Sequence, residues 1–570
     1  MATELDNALA NVTDRLTAPG APLETVPYER FGRQLPMLKG APPTLVAMFD
    51  HFCAQHGAAE FIVDGDIRLT FAEIHEAARA VASGLIAGHA IERGDRVGIA
   101  ARNSANWIAA YMGVLMAGGC ATLLNGWWSG DEMASGIELA GCKLVLADAQ
   151  RAARIADLGL ATKVTEFSHD CDWREGLAAV LAGGGGADTP LPELTGDDVA
   201  TILYTSGSTG LSKGAWSDHR AVTQAVFNFV GQTLTILTHL TDKGEAPTSQ
   251  PATLVNVPLF HVTGEVPVLL QSFVIGRKLV LMPKWNAEEA MRLIAQEKIT
   301  YFVGVPLMSY EIATHPNREQ YDLSSCTAFA AGGAPRPAEH VKKIKDALPH
   351  AFPLLGYGLT ETNAAGCGNL NENYMAKPGS TGTATKPLID VGILDDDGNL
   401  LPTGQVGEVA IRSIVNFNGY WNNPEATRQA IMPDGFFRSG DLGYLDDDGY
   451  LFIVDRKKDI IIRGGENISC IEVEEAIYAH PDVAEASVFA MPDEKFGELP
   501  TGVYLVKDGC SLSEDQLRAF LLERIAGFKV PVRLWQEHET LPRLGTEKVD
   551  KRTLKARYLT VWESEQKAGA

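Results

Sequence analysis

Short apolar runs alternate with stretches of helical pattern along most of this chain. Arg96–Ala100 (RVGIA) is followed by the helical stretch NWIAAYMGVLMAGG and then by Lys143–Asp148 (KLVLAD). The same order returns in VNVPLFH, NAEEAMRLIAQEKI and TYFVGVP. Strands that alternate with helices form mostly parallel sheets covered by helices. We therefore predict an α/β fold in which the sheets are mostly parallel.

The pattern changes after about Asp455. A short strand (DIIIR), a helix (EVEEAIYAH), two strands (ASVFAMP and GVYLV) and a further helix follow. Roughly 110 residues of this kind are enough for a small α+β domain. A chain of 570 residues is also too long for one simple core. We predict an N-terminal domain at 1–456, in which residues 1–40 form a surface arm, and a C-terminal domain at 457–570.

One uncharged stretch, Trp107–Leu124, is long enough to raise the question of a transmembrane helix. Gly118 and Gly119 interrupt it, and the polar turn sequence LNGWW follows. A buried helix, a turn and a short buried strand fit this pattern better. The N-terminus is polar and lacks the apolar core of a signal peptide. We predict no transmembrane segment.

Composition limits the compartment and the partners. The chain has 49 basic and 72 acidic residues, a net charge of −23 that repels nucleic acid. Its eight cysteines are scattered and form no CxxC pair, which is typical of reduced thiols. We expect a cytoplasmic protein with no nucleic-acid partner. The sequence leaves a homodimer open.

The strongest local signal is the segment YTSGSTGLSKG at 204–214. Its glycines let backbone N–H groups point inward, its hydroxyls add donors, and Lys213 adds a positive charge, as a polyphosphate requires. The spacing of a Walker A loop fails, because Ser212 stands where the second glycine belongs and Gly214 where Ser or Thr belongs. A surface loop without a ligand is the alternative interpretation.

Four later segments appear in a fixed order with this loop. They are AGGAPRP at 331–337, YGLTET at 357–362, GFFRSGDLGYLDDDGYL at 435–451 and LPRLGTEKVDKRTL at 541–554. Together they resemble the motifs of acyl-adenylate-forming enzymes, a family that includes acyl-CoA synthetases, peptide-synthetase adenylation domains and beetle luciferases. The resemblance runs from about Thr44 to Lys555. It implies that the N-terminal domain consists of α/β subdomains plus a distorted β-barrel and that the C-terminal α+β domain is mobile.

The resemblance assigns roles around ATP, Mg2+ and coenzyme A. Glu361 and Thr205 would hold Mg2+, for which a carboxylate oxygen is a suitable ligand. Tyr357 would stack on adenine, and Asp441 would accept the ribose hydroxyls as the acidic residue of dinucleotide sites does. The implied cofactor-binding residues are Thr205, Ser206, Gly207, Ser208, Thr209, Gly333, Ala334, Gly356, Tyr357, Gly358, Thr360, Asp441, Arg456, Gly464 and Gly465.

Lys548, in the last motif, is implied to be the catalytic lysine, beside Glu361 and Lys213. The family usually has a glycine directly before this lysine, whereas this chain has Glu547, whose carboxylate would either pair with Lys548 or point outward. Lys458 is implied to be the hinge between the domains. The glycines at 464 and 465 would let the pantetheine arm of CoA pass.

The segment PLFHVTG at 258–264 resembles the part of the family that lines the acyl pocket. The implied pocket residues are His261, Val262 and Ala331, and His261 is either a gate or a packed histidine. Ala331, Gly356 and Gly358 would leave room for a bulky or long tail. Adenylation domains for amino acids usually carry an aspartate after the aromatic residue, whereas here His261 and Val262 follow Phe260. An uncharged acyl tail is therefore favoured, and fatty, aryl and polycyclic acids all stay open.

The implied activity is that of an ATP-dependent carboxylic acid–CoA ligase. It would form an acyl-adenylate with release of pyrophosphate, then transfer the acyl group to CoA with release of AMP. A stand-alone enzyme that loads a carrier protein and an oxidative, luciferase-like enzyme share these motifs. A non-catalytic binding protein is less favoured, because Lys213, Glu361, Asp441 and Lys548 are all present.

Overall fold

The computed structural model of the protein describes residues 3–205, 212–332, 336, 338–545 and 548–569. Short 3-10 turns lie at Arg318–Gln320 and Thr360–Thr362, and a π-helical segment lies at Gly264–Leu270. The α-helices are α1 Glu4–Thr17, α2 Leu45–His56, α3 Phe71–His89, α4 Ala105–Met116, α5 Gly130–Ala140, α6 Ala149–Ala156, α7 Trp173–Gly176, α8 Ala178–Leu181, α9 His219–Asp242, α10 Gln271–Ile275, α11 Ala287–Glu297, α12 Pro306–Thr314, α13 Ala338–Ala347, α14 Asn371–Ala376, α15 Pro424–Ala430, α16 Cys470–Tyr478, α17 Glu514–Leu522 and α18 Lys551–Gly569.

The strands form four sheets. In chain order they are β1 Thr25–Arg30, β2 Arg33–Leu38, β3 Glu60–Asp64, β4 Ile67–Thr70, β5 Arg96–Ala100, β6 Cys120–Leu123, β7 Leu144–Ala147, β8 Lys163–Glu166, β9 Val199–Thr205, β10 Lys213–Asp218, β11 Ala252–Val255, β12 Lys278–Leu281, β13 Tyr301–Gly304, β14 Ala328–Gly332, β15 Phe352–Gly358, β16 Gly366–Asn369, β17 Gly382–Ala384, β18 Asp390–Leu394, β19 Gly407–Arg412, β20 Gly419–Tyr420, β21 Phe437–Leu445, β22 Tyr450–Arg456, β23 Ile461–Arg463, β24 Glu466–Ile468, β25 Val483–Asp493, β26 Gly497–Val506 and β27 Arg533–Glu537.

A seven-stranded sheet has the order β20-β10-β9-β6-β5-β7-β8. Its central strands β9, β6, β5, β7 and β8 are parallel, as predicted. The uncharged stretch Trp107–Leu124 lies in its core, because every residue of α4 and β6 is buried. Gly118 turns the chain between them with a φ of 79°. The prediction of a buried helix, turn and strand is confirmed.

A thirteen-stranded sheet has the order β18-β19-β21-β22-β17-β16-β15-β14-β13-β11-β12-β3-β4. Strands β11–β15 are parallel to one another and β3 is parallel to β12, whereas the edge strand β4 pairs antiparallel with β3, and β15–β19, β21 and β22 pair antiparallel. The antiparallel strands, which we expected in a distorted β-barrel, are thus hydrogen-bonded in line with the parallel sheet. Strand β15 is the point of transition, because it is parallel to β14 and antiparallel to β16.

The C-terminal region has a five-stranded sheet of its own, formed by β23–β27. Helices α16 and α17 cover it with a separate apolar core that includes Val473, Ile477, Leu517 and Leu521. A large mixed α/β region followed by a small α+β region confirms the predicted fold class. The predicted boundary at 456/457 stays a prediction.

The predicted surface arm at 1–40 contains α1 and the antiparallel hairpin β1–β2. The side chain of Thr3 and the carboxylate of Asp6 form a capping box at the start of α1. Arg30 ties the hairpin to the body of the protein through a buried ion pair with Asp218, with 2.7 Å between Nη1 and Oδ2. The segment is therefore ordered by specific contacts.

Two predictions from composition also have structural counterparts. Within the residues that the structure describes, no helix is long and apolar enough to cross a membrane. All eight cysteines are free thiols, and six of them are buried.

Candidate active site

The predicted phosphate loop connects two paired strands. Thr205 ends β9, Lys213 begins β10, and these two residues are opposite each other in the antiparallel register. Strand β20 pairs with the other edge of β10 and places Tyr420 opposite Ala215. The ammonium nitrogen of Lys213 lies 4.8 Å from the centre of the Tyr420 ring. A cation–π contact of this kind fixes the direction of the lysine.

Glu361 lies in the 3-10 turn that follows β15, and this turn contacts both β9 and β10. Its Oε1 accepts a hydrogen bond from the Tyr420 hydroxyl at 2.8 Å, and only 8% of the residue is exposed. Burial raises the pKa of the Glu361 carboxyl, while the Tyr420 hydroxyl and the charges of Arg456 and Lys213 favour the ionised form. Glu361 is thus a buried acid with two cations nearby.

Asp441 and Tyr357 meet on neighbouring parts of the large sheet. The Tyr357 hydroxyl donates to Oδ2 of Asp441 at 2.7 Å. Arg456 is opposite Asp441 in the β21–β22 register, and its Nε lies 3.4 Å from Oδ1. Burial raises the pKa of Asp441, and the Arg456 charge opposes this shift. The carboxylate therefore holds two fixed partners, one neutral and one charged.

Lys548 is delivered by the C-terminal region. Its ammonium group is close enough to Asp441, Arg456 and His261 to act on them electrostatically. Burial and the charge of Arg456 lower the pKa of Lys548 to about 8, and the charge of Asp441 opposes this shift. Burial and the Lys548 charge lower the pKa of His261 to about 3. The imidazole of His261 is therefore neutral, and its Nδ1 accepts a hydrogen bond from the Thr263 amide at 3.3 Å.

Arg456 connects the two halves of this arrangement. It acts on Glu361 from one side and on Asp441 and Lys548 from the other. The four groups that the sequence singled out, Lys213, Glu361, Asp441 and Lys548, are thereby brought into one electrostatic cluster. The cluster contains the carboxylates Glu361 and Asp441 and the cations Lys213, Arg456 and Lys548.

Other predicted residues lie apart or outside the described residues. Gly464 and Gly465 form the turn between β23 and β24 with φ of 59° and 94°. Lys458 is exposed in the turn after β22. The predicted site residues outside the described residues are Ser206, Gly207, Ser208, Thr209, Gly333 and Ala334, together with Glu547.

The predicted acyl-pocket residues differ in the space around them. A Cβ at Gly356 would meet nothing within 4 Å, and this residue is exposed. A Cβ at Gly358 would lie 2.0 Å from the Ala364 carbonyl oxygen, so close backbone approach requires this glycine. Val262 and Ala331 are each 3% exposed. Only Gly356 leaves open space in the way we expected.

Thr360 begins the 3-10 turn of Glu361, and Thr362 supplies the hydroxyl that caps it.

Two hydrogen bonds from a tyrosine to a buried glutamate were not predicted from the sequence. Tyr420 donates a hydrogen bond to Glu361, which is 59 positions away in the chain, and no local sequence pattern predicts such a pair. Glu265 is fully buried and accepts the Tyr111 hydroxyl at 2.8 Å, and it directly follows the segment 258–264, in which we expected no carboxylate. Its position inside an apolar run, GEVPVLL, was the available signal.

A metal ion at this site would take only some of its ligands from the protein. Over the described ranges, no group of three or more His, Cys, Asp or Glu side chains is placed to hold a metal ion by itself. Magnesium that arrives with a polyphosphate needs only one or two protein oxygens and keeps several waters. Glu361, with its buried carboxylate beside the end of β9, fits that requirement.

The parallel sheets, the β9–β10 loop and a lysine carried in by a small C-terminal region define an adenylate-forming enzyme. The comparison with known families agrees. The AMP-binding enzyme family matches residues 49–421, and the C-terminal domain of AMP-binding enzymes matches residues 472–548. The chain belongs to the AMP-binding enzyme family.

Similar curated proteins are CoA ligases from bacteria and plants. A long-chain-fatty-acid–CoA ligase of Mycobacterium tuberculosis is 34% identical over 86% of this chain and 94% of its own. A feruloyl-CoA synthase of Amycolatopsis is 32% identical over 87% and 95%. A 4-coumarate–CoA ligase of Solanum tuberosum is 30% identical over 87% and 90%. The chain is thus similar to enzymes named for different acids.

Solved structures show the same architecture. ATP-bound MatB from Rhodopseudomonas palustris superposes with a TM-score of 0.79 at 28% identity, covering 91% of this chain and 99% of that one. A fatty acyl CoA synthetase of Mycobacterium tuberculosis superposes with a TM-score of 0.70 at 30% identity, again over 91% and 99%.

Proposed function

We propose that the protein is an ATP-dependent carboxylic acid–CoA ligase that forms AMP. It activates an acid as its acyl-adenylate with release of pyrophosphate, and the thiol of CoA then takes the acyl group. The convergence of Lys548 with Asp441 and Arg456 beside Glu361 and Lys213 carries the proposal. The similar enzymes, which are named as CoA ligases, support CoA over a carrier protein as the acceptor.

The chemistry of the first step explains this choice of residues. A carboxylate attacks the α-phosphorus of ATP, so two anions approach each other and charge accumulates on the phosphoryl oxygens. Lys548 and Lys213 supply positive charge, and Asp441 with Tyr357 orients the ribose and the adenine. The neutral His261 adds no charge that would compete for the carboxylate. Alignment of the two reactants and fixed charges then lower the barrier together.

Mg2+ is part of the proposal as a companion of ATP. Glu361 would hold it, with the hydroxyl of Thr205 as a second ligand. When bound, the ion neutralises phosphate charge. Tyr420 prepares Glu361 for this role, because its hydrogen bond favours the ionised carboxylate that a metal requires.

The two half-reactions need different arrangements of the C-terminal domain. We propose a domain boundary at 456/457 and a hinge at Lys458, which is exposed in the turn after β22. Lys548 would serve the first step. Rotation would then bring the Gly464–Gly465 turn to the acyl-adenylate, where its small residues admit the pantetheine arm. A cytoplasmic location follows for an enzyme that consumes ATP and CoA, with its thiols reduced.

The acid is proposed to have an uncharged tail. The open space at Gly356 accommodates a bulky or long group, and the Glu265 carboxylate is occupied by Tyr111. Fatty, aryl and polycyclic acids all stay open as substrates, and the similar enzymes include one named for long-chain fatty acids and one named for feruloyl-CoA.

The proposal is tested by a pyrophosphate-release screen over fatty, aryl and polycyclic acids, with and without CoA. We expect pyrophosphate release that depends on one class of acid and AMP release that depends on CoA. Release of AMP only with a carrier protein would favour the carrier-loading alternative. No pyrophosphate with any acid would contradict the proposal.

A further inference from the structure

Trp127 is an exposed tryptophan with a rigid support. It lies in the turn after β6, and 63% of its surface is accessible to solvent. Its amide donates to Oδ1 of Asn125 at 2.9 Å, and the guanidinium carbon of Arg151 lies 5.8 Å from its ring centre. Arg151 is itself buried and pairs with Asp148 at 3.0 Å. The indole is therefore a flat apolar surface held in place by a buried cation.

The C-terminal region touches this surface through Gly545. A Cβ at Gly545 would lie 2.4 Å from Cδ1, 2.7 Å from Cγ and 2.8 Å from Cβ of Trp127, and these are the three nearest atoms. Its backbone does not have the positive φ that requires glycine elsewhere in the chain. The close approach of Trp127 is thus the reason why a side chain does not fit at 545.

The segments that contain Gly545 and Lys548 lie side by side. The Leu544 amide donates to the Lys548 carbonyl at 2.8 Å, and Arg543 pairs with Val549 as an antiparallel bridge. A contact at Gly545 therefore fixes the direction of the segment that carries Lys548. A misplacement of about 1 Å in such a group is enough to slow a reaction severely.

We propose that the C-terminal domain packs on Trp127 during acyl-adenylate formation and that Trp127 is a positioning residue for Lys548. Its catalytic consequence rests on the proposed function, whereas the contact itself does not. Trp127 serves only the first half-reaction, because rotation about Lys458 lifts Gly545 away from the ring. The exposed indole then has no part in thioester formation.

A disulfide tests the contact without any assay of catalysis. Trp127→Cys and Gly545→Cys are combined in a Cys510→Ser background, since Cys510 is an exposed free thiol. The Cβ atoms at these positions would be 2.8 Å apart, and a small shift brings them to the roughly 3.5–4.5 Å of a disulfide. We expect copper–phenanthroline to link most molecules, seen as a mobility change on a non-reducing gel.

The matched control is Val406→Cys with Gly545→Cys in the same background. Val406 is an apolar loop residue of the N-terminal region that is 54% exposed, similar to Trp127. This pair is expected to stay unlinked. Failure of the first pair to link, or equal linking of both pairs, would overturn the proposal.

The half-reactions test the role of the contact. We expect Trp127→Gly to slow acyl-adenylate formation about 10-fold and to leave thioester formation from supplied acyl-adenylate within about twofold. Trp127→Phe, which keeps a flat ring, restores most of the first rate. Equal losses in both half-reactions, or no loss in either, would contradict a positioning role.

A double-mutant cycle identifies the partner. Gly545→Ala is expected to slow adenylation about 10-fold in the wild-type background and to have little further effect after Trp127→Gly, because the crowded atoms are gone. Additive losses would show that Gly545 acts elsewhere.

The cross-linked protein separates this proposal from the proposed function. We expect it to form acyl-adenylate but no thioester until a reductant is added. If the disulfide forms and the wild type releases no pyrophosphate with any acid, the function is wrong and the contact stands. If the wild type is active and the disulfide does not form, the proposed function stands and the proposed contact is wrong.

Discussion

Two buried glutamates in this protein have almost the same immediate partner and different surroundings. Glu361 accepts the Tyr420 hydroxyl and Glu265 accepts the Tyr111 hydroxyl, both at 2.8 Å. Burial raises the pKa of each carboxyl. Arg456 and Lys213 oppose this shift at Glu361, whereas Tyr111 alone does so at Glu265, whose pKa rises to about 7.

The comparison separates a buried acid that is available for charge chemistry from one that is not. At Glu361, the Tyr420 hydroxyl and then the charges of Arg456 and Lys213 favour the ionised carboxylate, which is the form that a metal requires. At Glu265, the other oxygen, Oε2, has no hydrogen-bond partner among the described residues, and no cation balances it there. Unbalanced burial of this kind costs stability when the group ionises. Cations, and not the tyrosine, distinguish the two sites.

The largest expected effect comes from removing the charge at the first site. Glu361→Gln keeps the shape of the side chain and is expected to slow pyrophosphate release on the order of 10²–10³-fold. Glu265→Gln is the matched control and should release pyrophosphate at the wild-type rate. Magnesium titrations of both variants check whether the loss of rate comes from weaker metal binding. Equal activity of the two variants would remove the distinction between the acids.

A second large effect is expected at Lys548. Lys548→Ala should slow acyl-adenylate formation about 10²-fold or more and keep thioester formation from supplied acyl-adenylate. Since the pKa of Lys548 is lowered to about 8, the ammonium form is lost as pH rises through this value. The first half-reaction of the wild type should therefore decline above about pH 8, measured by single-turnover pyrophosphate release. Equal loss of both half-reactions would refute this division between the steps.

A smaller effect is expected from the tyrosines. Tyr420→Phe removes the donor that favours ionised Glu361, so the pKa of this carboxyl rises further. The acid side of the pH–rate profile should move to higher pH, with about a 10-fold loss of rate at low pH. Tyr111→Phe is the matched change at Glu265 and should leave the profile unchanged. A shift in both variants would mean that the two acids share one role.

The smallest effect on activity is expected from Glu265→Gln, which instead changes stability. The folded-state pKa of about 7 lies above the ordinary value of 4.5, so the folded protein binds this proton more tightly than the unfolded chain. The free energy of unfolding should therefore fall as pH rises from 4.5 to 7, by up to about 3 kcal/mol. Glu265→Gln should lack this decrease, measured by denaturant unfolding at pH 5 and pH 8. A parallel decrease in both proteins would assign the effect to another group.

The sequence predicted the fold class and most of the residues that the structure brings together. Lys213, Tyr357, Asp441 and Lys548 lie in motifs whose order is readable along the chain. Local periodicity also predicted the buried stretch Trp107–Leu124. These features depend on neighbours within a few positions, which is the range at which patterns carry information.

The contacts that the sequence did not predict are long-range pairs. Tyr420 and Glu361 are separated by 59 positions, and Tyr111 and Glu265 by 154. Neither tyrosine differs in its local sequence from one that simply packs in a core. The crowding at Gly358 also depends on the path of the chain at Ala364, which composition does not reveal.

Strand β15 has a consequence for anyone who wishes to redesign the enzyme. Gly356 and Tyr357 are adjacent, so they face opposite sides of the same strand. One side is proposed to receive the acid and the other the adenine, with a single peptide bond between them. A bulky residue introduced at Gly356 to exclude one acid would meet open space around its Cβ, on the side of the strand away from the ring of Tyr357. Acid selectivity is therefore expected to change in variants of Gly356 while the apparent affinity for ATP stays the same.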